Sequence, residues 1–334
     1  MLILPDFELL RPRSLAEAVD AARAANGRFD WLGGGTDLLC NYKWGINVQP
    51  TVISLRHVPE LRAIGARSVG AWSVGGGVTL GEMERDEDFL EAYPAFRGAL
   101  AHLASPLIRQ TGTLAGNLLL DTRCLWLNQS AFARKALGYC LKAEGPECRV
   151  VKGSTDTCYA NYSGDLAPLL MVHGAEVRLA GPSGERRVPM TSFFRLDGIR
   201  RFVKERDEVL VAVDFPSDAR EIRSSYQKYR VRDAWDFAEV AVALGVRMDG
   251  ERIGELRIVA NAVAAIPLWL PEIAQPFVGR PLDDATIDAV GDAVTAAVQP
   301  VRATWLPPAY RKQMAGVMAR RALRAIRDGA AVTV

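Results

Sequence analysis

Four of the five cysteines, Cys124, Cys140, Cys148 and Cys158, fall in one short stretch, while Cys40 stands alone. Random scattering of five thiols over 334 residues would rarely bunch them this way. The start, Met1-Leu2-Ile3-Leu4-Pro5-Asp6, has neither a basic leader nor a long apolar run, so the chain is expected in the cytoplasm, where thiols stay reduced. Metal ligation is then favoured over a disulfide framework, with four unligated buried thiols as the plain alternative, since free cysteine is often core. The intervals C-x15-C-x7-C-x9-C lack the C-x2-C pairs that open each half of a zinc ribbon, which weakens structural zinc. The common ferredoxin intervals are absent too, so spacing alone does not name the metal.

The stretch from Asp121 to Ser163 that carries these cysteines has little periodicity and interrupts a more regular pattern, so it reads as an insertion. Arg123, Arg134, Lys135, Lys142, Arg149 and Lys152 would offset the negative charge of four thiolates; an ordinary solvated surface explains them equally well. Ahead of it, Ser14-Leu15-Ala16-Glu17 and Thr79-Leu80-Gly81-Glu82 are capping boxes. A helix is expected from the first of them to about Asn26, and another over Phe89 to Ala104, ended by Ser105-Pro106. Short β-branched and apolar runs at Phe29–Leu32, Thr51–Leu55 and Trp72–Val74 read as strands. The alternation is that of an α/β region, with Pro182-Ser183-Gly184 as a turn that closes it. Beyond about Glu221, Val240–Val246, an Asp249-Gly250 turn and Ile253–Val259 predict an antiparallel hairpin. Ala285–Val298 and Tyr310–Arg327 carry helical spacing and would pack on one face of that sheet.

Two glycine-bearing loops are candidate anion sites. Leu32 leads into Gly33-Gly34-Gly35-Thr36-Asp37-Leu38, and Thr113-Leu114-Ala115-Gly116-Asn117 follows further on. Without a Cβ a backbone approaches a ligand closely and turns successive N–H groups toward a phosphate, although either loop alone is equally well a tight turn. Neither is G-x-G-x-x-G or G-x-x-x-x-G-K-[ST], which disfavours a Rossmann site and a P-loop. A net charge of +2 gives no basic face for nucleic acid, and no apolar run is long enough for a membrane span. Cys40 is expected to be a small core residue.

Taken together, these motifs resemble the FAD-binding subunits of the xanthine dehydrogenase and carbon monoxide dehydrogenase (molybdenum hydroxylase) family over nearly the whole chain. In that family a Gly-Gly-Thr-Asp loop holds the flavin pyrophosphate, matched by Gly33 to Asp37, and a T-x-G-G-N loop completes the site. Here it reads Thr113 to Asn117, with Ala115 where glycine is frequent. The family's later Asp on the ribityl chain corresponds to Asp165 in Gly164-Asp165-Leu166-Ala167-Pro168, and Lys228 in Tyr226-Gln227-Lys228-Tyr229 would lie near the isoalloxazine. A cysteine insertion between those motifs is similar to that of the 4-hydroxybenzoyl-CoA reductase β-subunit branch, whose four cysteines hold a [4Fe-4S] cluster. On that resemblance Cys124, Cys140, Cys148 and Cys158 are the ligands.

The resemblance implies an α+β fold. A small α/β lobe (1–56) and a larger one (57–220, insertion at about 121–163) would form a two-part FAD-binding region, followed by an antiparallel sheet with helices (221–334). It further implies an electron-transfer subunit with no catalytic residue of its own. The partners would be a molybdenum-cofactor subunit and a [2Fe-2S] subunit in a heterotrimer that pairs into dimers, together with an external carrier such as ferredoxin. Two alternatives stay open: a related hydroxylase acting on an N-heterocycle, an aldehyde or another acyl-CoA, and a zinc-binding scaffold module without flavin.

Overall fold

Three sheets succeed one another along the chain in the computed structural model, which describes residues 3–68 and 71–329. The first is parallel: β1 (Glu8–Leu10), β2 (Phe29–Leu32) and β3 (Thr51–Ser54) lie in the order β1-β3-β2. Parallel strands need crossover connections, and the helix Leu15–Ala24 carries the chain from β1 to β2 on the far side of β3. Ser14 caps it by accepting from Glu17 N at 3.1 Å, but the Glu17 carboxylate turns to Arg13 N, so only half of the expected capping box forms. Ala22 of this helix packs with Phe29 and Ile53.

The second sheet is antiparallel, with β4 (Ile64–Ser68), β5 (Ala71–Gly75), β6 (Glu176–Gly181), β7 (Gly184–Pro189) and β8 (Val209–Phe215) in the order β4-β5-β8-β6-β7. Pro182-Ser183-Gly184 therefore joins two strands of one sheet and closes no region. Strand β8 is buried at every position because both its faces are covered. Leu210, Val213 and Phe215 join a core built from the helices between β5 and β6, whereas Val209 and Val211 pack toward Leu15, Val19 and Trp31 of the first lobe. Each such aliphatic side chain contributes roughly 1.5–3 kcal/mol by leaving water. The Thr79 capping box forms in full. The helix expected over Phe89–Ala104 is instead two, Glu87–Ala92 and Ala95–Ala101. Pro94 lacks an N–H and bars helical dihedrals at the residue before it; Tyr93 accordingly sits at φ −136, ψ 71.

The third sheet is also antiparallel, in the order β12-β11-β10-β9, with β9 at Arg223–Tyr229, β10 at Val240–Asp249, β11 at Arg252–Asn261 and β12 at Leu268–Trp269. Period-two alternation explains its two faces. Val240, Val242, Leu244 and Val246 pack under the helices Asp284–Ala297 and Pro308–Arg327, while Ala241 and Ala243 turn to the core of the second lobe. That second face carries small residues because the helix Ala167–Val172 lies close: a Cβ on Gly245 would stand 3.2 Å from that of Val172. No helix among the described residues is long and apolar enough to cross a membrane.

Candidate functional site

The cleft between the first two lobes has a volume of about 1190 Å³ and is floored by three glycine-bearing turns. The loop after β2 and the loop before the helix Leu114–Leu118 press against each other so tightly that their glycines are obligatory. A Cβ on Gly34 would stand 1.9 Å from the Thr111 carbonyl oxygen, and one on Gly33 would stand 2.7 Å from Thr113 Oγ1. Gly35 turns the chain at φ +75. The third turn, Gly76-Gly77 after β5, was left unassigned by the sequence although it repeats the strand-then-glycine pattern. A Cβ on Gly76 would meet that of Ala115 at 3.2 Å, so the alanine in the second loop is accommodated by the glycine facing it. Thr113 Oγ1 accepts from Gly116 N at 3.1 Å and fixes that loop.

Gly33 through Leu38, Thr113, Ala115, Gly116, Asn117 and Asp165 all line the cleft. Leu32 lies in β2 without lining it, Leu114 is fully buried in the core, and Lys228 is placed behind the wall. Lys228 Nζ donates to Asp165 Oδ2 at 3.0 Å, with both side chains nearly buried. It therefore reaches the cleft only through that carboxylate. Asp165 Oδ1 also accepts from Tyr226 Oη at 2.7 Å; burial and this carboxylate push the phenol well above its ordinary pKa. Beside it, Ser163 has a buried hydroxyl with no partner, at the cleft wall. An orphaned donor there suits a polar ligand atom. Arg123, Lys142, Arg201, Lys204 and Arg206 bring positive charge to the same cleft. Burial pulls the Lys204 ammonium down to about 8 against the pull of Glu208 and Asp207. Sequence reasoning missed Ser163 and these last three cations, which stand at irregular spacing in loops. Cys40, expected in the core, is exposed at the cleft.

Asp37 ties the cleft to the cysteine segment. Its Oδ2 accepts from Asp121 N at 3.0 Å, and its Oδ1 pairs with Arg123. The segment leaves and rejoins the fold at one antiparallel rung, where Arg123 N donates to Asn161 O at 2.7 Å and Asn161 N to Arg123 O at 2.9 Å. Between those residues Cys124, Cys140, Cys148 and Cys158 are all buried and surround one small cavity, with Trp126, Leu127 and Ala160. Burial pushes the Cys124 thiol up to about 12 and that of Cys158 to about 11, and the neighbouring thiols add to both; backbone N–H groups of Trp126, Leu127 and Ala160 act in the opposite sense. The basic residues of the segment are mostly internal ties and not a solvated surface. Arg134 donates to the carbonyls of Trp44 and Gly45, Arg149 to those of Tyr139, Leu137 and Gly138, and Lys142 is buried.

The donor set is four thiols, with no carboxylate or imidazole among the lining residues. No three His, Cys, Asp or Glu side chains among the described residues converge on a single ion; tetrahedral zinc, with bonds of ~2.3 Å, needs its thiolates about 3.8 Å apart. Four thiols lining one cavity make a soft donor set, the kind that suits a thiophilic metal or cluster. The void itself is about 10 Å³, room for one water-sized sphere.

The family model described as the FAD binding domain in molybdopterin dehydrogenase matches residues 5–218, and that of the CO dehydrogenase flavoprotein C-terminal domain matches 224–326. The chain belongs to the FAD-binding subunits of the molybdenum hydroxylases. It is 26% identical over 296 residues to a xanthine dehydrogenase FAD-binding subunit of Escherichia coli O157:H7, covering 88% of this chain and 87% of that one. It is 28% identical over 321 residues to the carbon monoxide dehydrogenase medium chain of Afipia carboxidovorans, covering 95% of each. Its fold matches a chain in the crystal structure of the cyanide-inactivated Cu,Mo-CO dehydrogenase with a TM-score of 0.78 and 26% identity, over 98% of this chain and all of the other. The three sheets with their helices are thus the architecture of a molybdenum hydroxylase flavoprotein subunit, as the α+β reading expected.

Proposed function

We propose that this FAD-binding subunit also carries a [4Fe-4S] cluster on Cys124, Cys140, Cys148 and Cys158, and that it passes electrons from a low-potential carrier such as a ferredoxin to partner subunits holding [2Fe-2S] clusters and the molybdenum cofactor. The complex is read as being of the 4-hydroxybenzoyl-CoA reductase type, removing a phenolic hydroxyl from an aromatic acyl-CoA held by the molybdenum subunit. The observation that carries the reading is the burial of all four cysteines of one segment around one cavity whose wall is shared with the flavin cleft. FAD supplies the step between one- and two-electron carriers, and the cluster supplies one-electron transfer.

The chain's own residues bind and orient. The glycine turns at 33–37 and 113–117 accept the pyrophosphate at close range, Arg201 and Arg206 add positive charge, and Ser163 and Asp165 hold polar groups of the flavin chain. The backbone N–H groups of Trp126, Leu127 and Ala160 favour the charged form of the thiols, which would stabilise added negative charge at the cluster.

Anaerobic purification with flavin, iron and sulfide quantified in one sample tests the reading. About four iron and four sulfide per FAD are expected, and Cys124→Ser should strip the iron while leaving the flavin. A colourless protein with stoichiometric zinc would instead support a scaffold role. Assay of the assembled complex with 4-hydroxybenzoyl-CoA, a purine, an aldehyde and an N-heterocycle separates the reductase from a related hydroxylase, the second reading favoured by relatives named for xanthine and carbon monoxide.

A further inference from the structure

One charged side chain belongs to both cavities. Lys142, from the middle of the cysteine segment, lines the cleft and the cysteine cavity alike. Its side chain is 5% exposed. Its ammonium donates to the Asp121 carboxylate, to Thr122 Oγ1 at 2.8 Å and to the Gly198 carbonyl at 2.7 Å, so all three N–H groups are engaged. Asp121 lines the cleft but not the cysteine cavity. Arg201 Nη1 stands 3.4 Å from the same carboxylate. On the far side, Gly198 lies against a sulfur: a Cβ there would come within 2.8 Å of Cys158 Sγ, and Gly198 N donates to Cys158 O at 2.8 Å. A short chain of contacts thus runs from Cys158 through Gly198, Lys142 and Asp121 to Asp37 of the first glycine loop.

Two physical consequences follow from that arrangement. The ion pair is oriented, with its cation toward the thiols and its anion toward the cleft, in a buried setting where screening is weak. The field of such a pair holds negative charge on the cysteine side. The hydrogen bonds to Thr122 and Gly198 also tie the segment to its own entry and to the loop at Gly198.

We propose that Lys142 is the positioning residue that couples the two redox sites, fixing the cysteine segment against the flavin cleft and raising the potential of whatever cluster the four thiolates hold. The inference rests on the [4Fe-4S] reading above. The step concerned adds one electron to the cluster from an external one-electron donor; no bond is made or broken.

The test is an anaerobic redox titration of the holoprotein with dithionite, followed by electron paramagnetic resonance, for wild type, Lys142→Met, Lys142→Arg and the double variant Lys142→Met with Asp121→Asn. The double variant removes the partner left unpaired and so guards against simple misfolding. Removal of the charge is expected to lower the reduced-to-oxidised ratio at the wild-type midpoint about tenfold, ~59 mV for a one-electron couple, with Arg restoring most of it. Loss of iron from both Met variants while the Arg variant keeps it would also support the positioning role. An unmoved midpoint in iron-replete Met variants overturns the inference and leaves the cluster reading standing, as does loss of iron from all three variants. A wild-type protein without iron overturns both.

Discussion

At the scale of single residues, the cleft depends on atoms that are missing. Gly34→Ala would drive a Cβ into the Thr111 carbonyl at 1.9 Å, parting the two loops that face the ligand. We expect flavin content to fall at least tenfold, with a loss of ~1–3 kcal/mol from overpacking, measurable as the flavin-to-protein absorbance ratio and by thermal melting. His173 illustrates a buried residue whose effect is on stability alone. Its ring lies between the Ala219 carbonyl and Ser224 Oγ, each at 2.9 Å, among Tyr93, Phe96 and Phe215. Burial pulls its pKa down from 6.5 to about 4. Between those values the unfolded chain binds the proton and the folded one does not, so stability present above pH 6.5 drains away as the pH falls toward 4. The gap is worth about 3 kcal/mol. His173→Gln should flatten the melting temperature over that window relative to wild type, and a parallel decline in both proteins would refute the assignment.

Among elements, the connection between the last two helices does more than span a gap. Arg311, fully buried in the helix Pro308–Arg327, donates to the carbonyls of Glu239, Val301 and Ala262, and so joins that helix to β10, to the connecting loop and to the end of β11. The same loop seats the cysteine segment, since Leu125 N donates to Ala303 O at 2.9 Å. Arg311→Met leaves Glu239 buried beside unpaired carbonyls; a loss of ~3–5 kcal/mol in urea unfolding is expected, together with faster amide exchange at Leu125. Elements with strong local signals were legible in the sequence: the β10–β11 hairpin from its Asp249-Gly250 turn, the Thr79 helix from its capping box, the last two helices from their spacing. The break at Pro94 was legible too, but the apolar periodicity on either side of it masked the signal. What stayed hidden depended on long-range approach. Lys228 has the composition of a cleft residue and is turned away from it by Asp165, and Ser163 and Arg201 reach the site from irregular loops that no periodicity marks. The four cysteines were evident as a group, whereas Lys142 behind them could not be told from a surface lysine.

For the whole molecule, the lobes are held as one body by strands covered on both faces, β8 between the first and second lobes and β10 between the second and third. The cysteine segment is the exception, held by side-chain ties, one antiparallel rung and the bond from Leu125 N to Ala303 O. On the proposed cluster, stripping iron with an oxidant and chelator should leave the melting of the three sheets intact while raising tryptic cleavage at the exposed Lys135 and Lys152 at least tenfold, read by mass spectrometry of the fragments. Equal cleavage before and after would mean that the segment owes nothing to a bound group. Because Arg123 and Asn161 face each other across a single rung, the segment between them has the connectivity of a cassette. Excising it and closing the rung with a tight turn would yield a plain flavoprotein. Grafting it into a relative would succeed only where the host offers the carbonyl sockets that Trp44, Gly45 and Ala303 provide here.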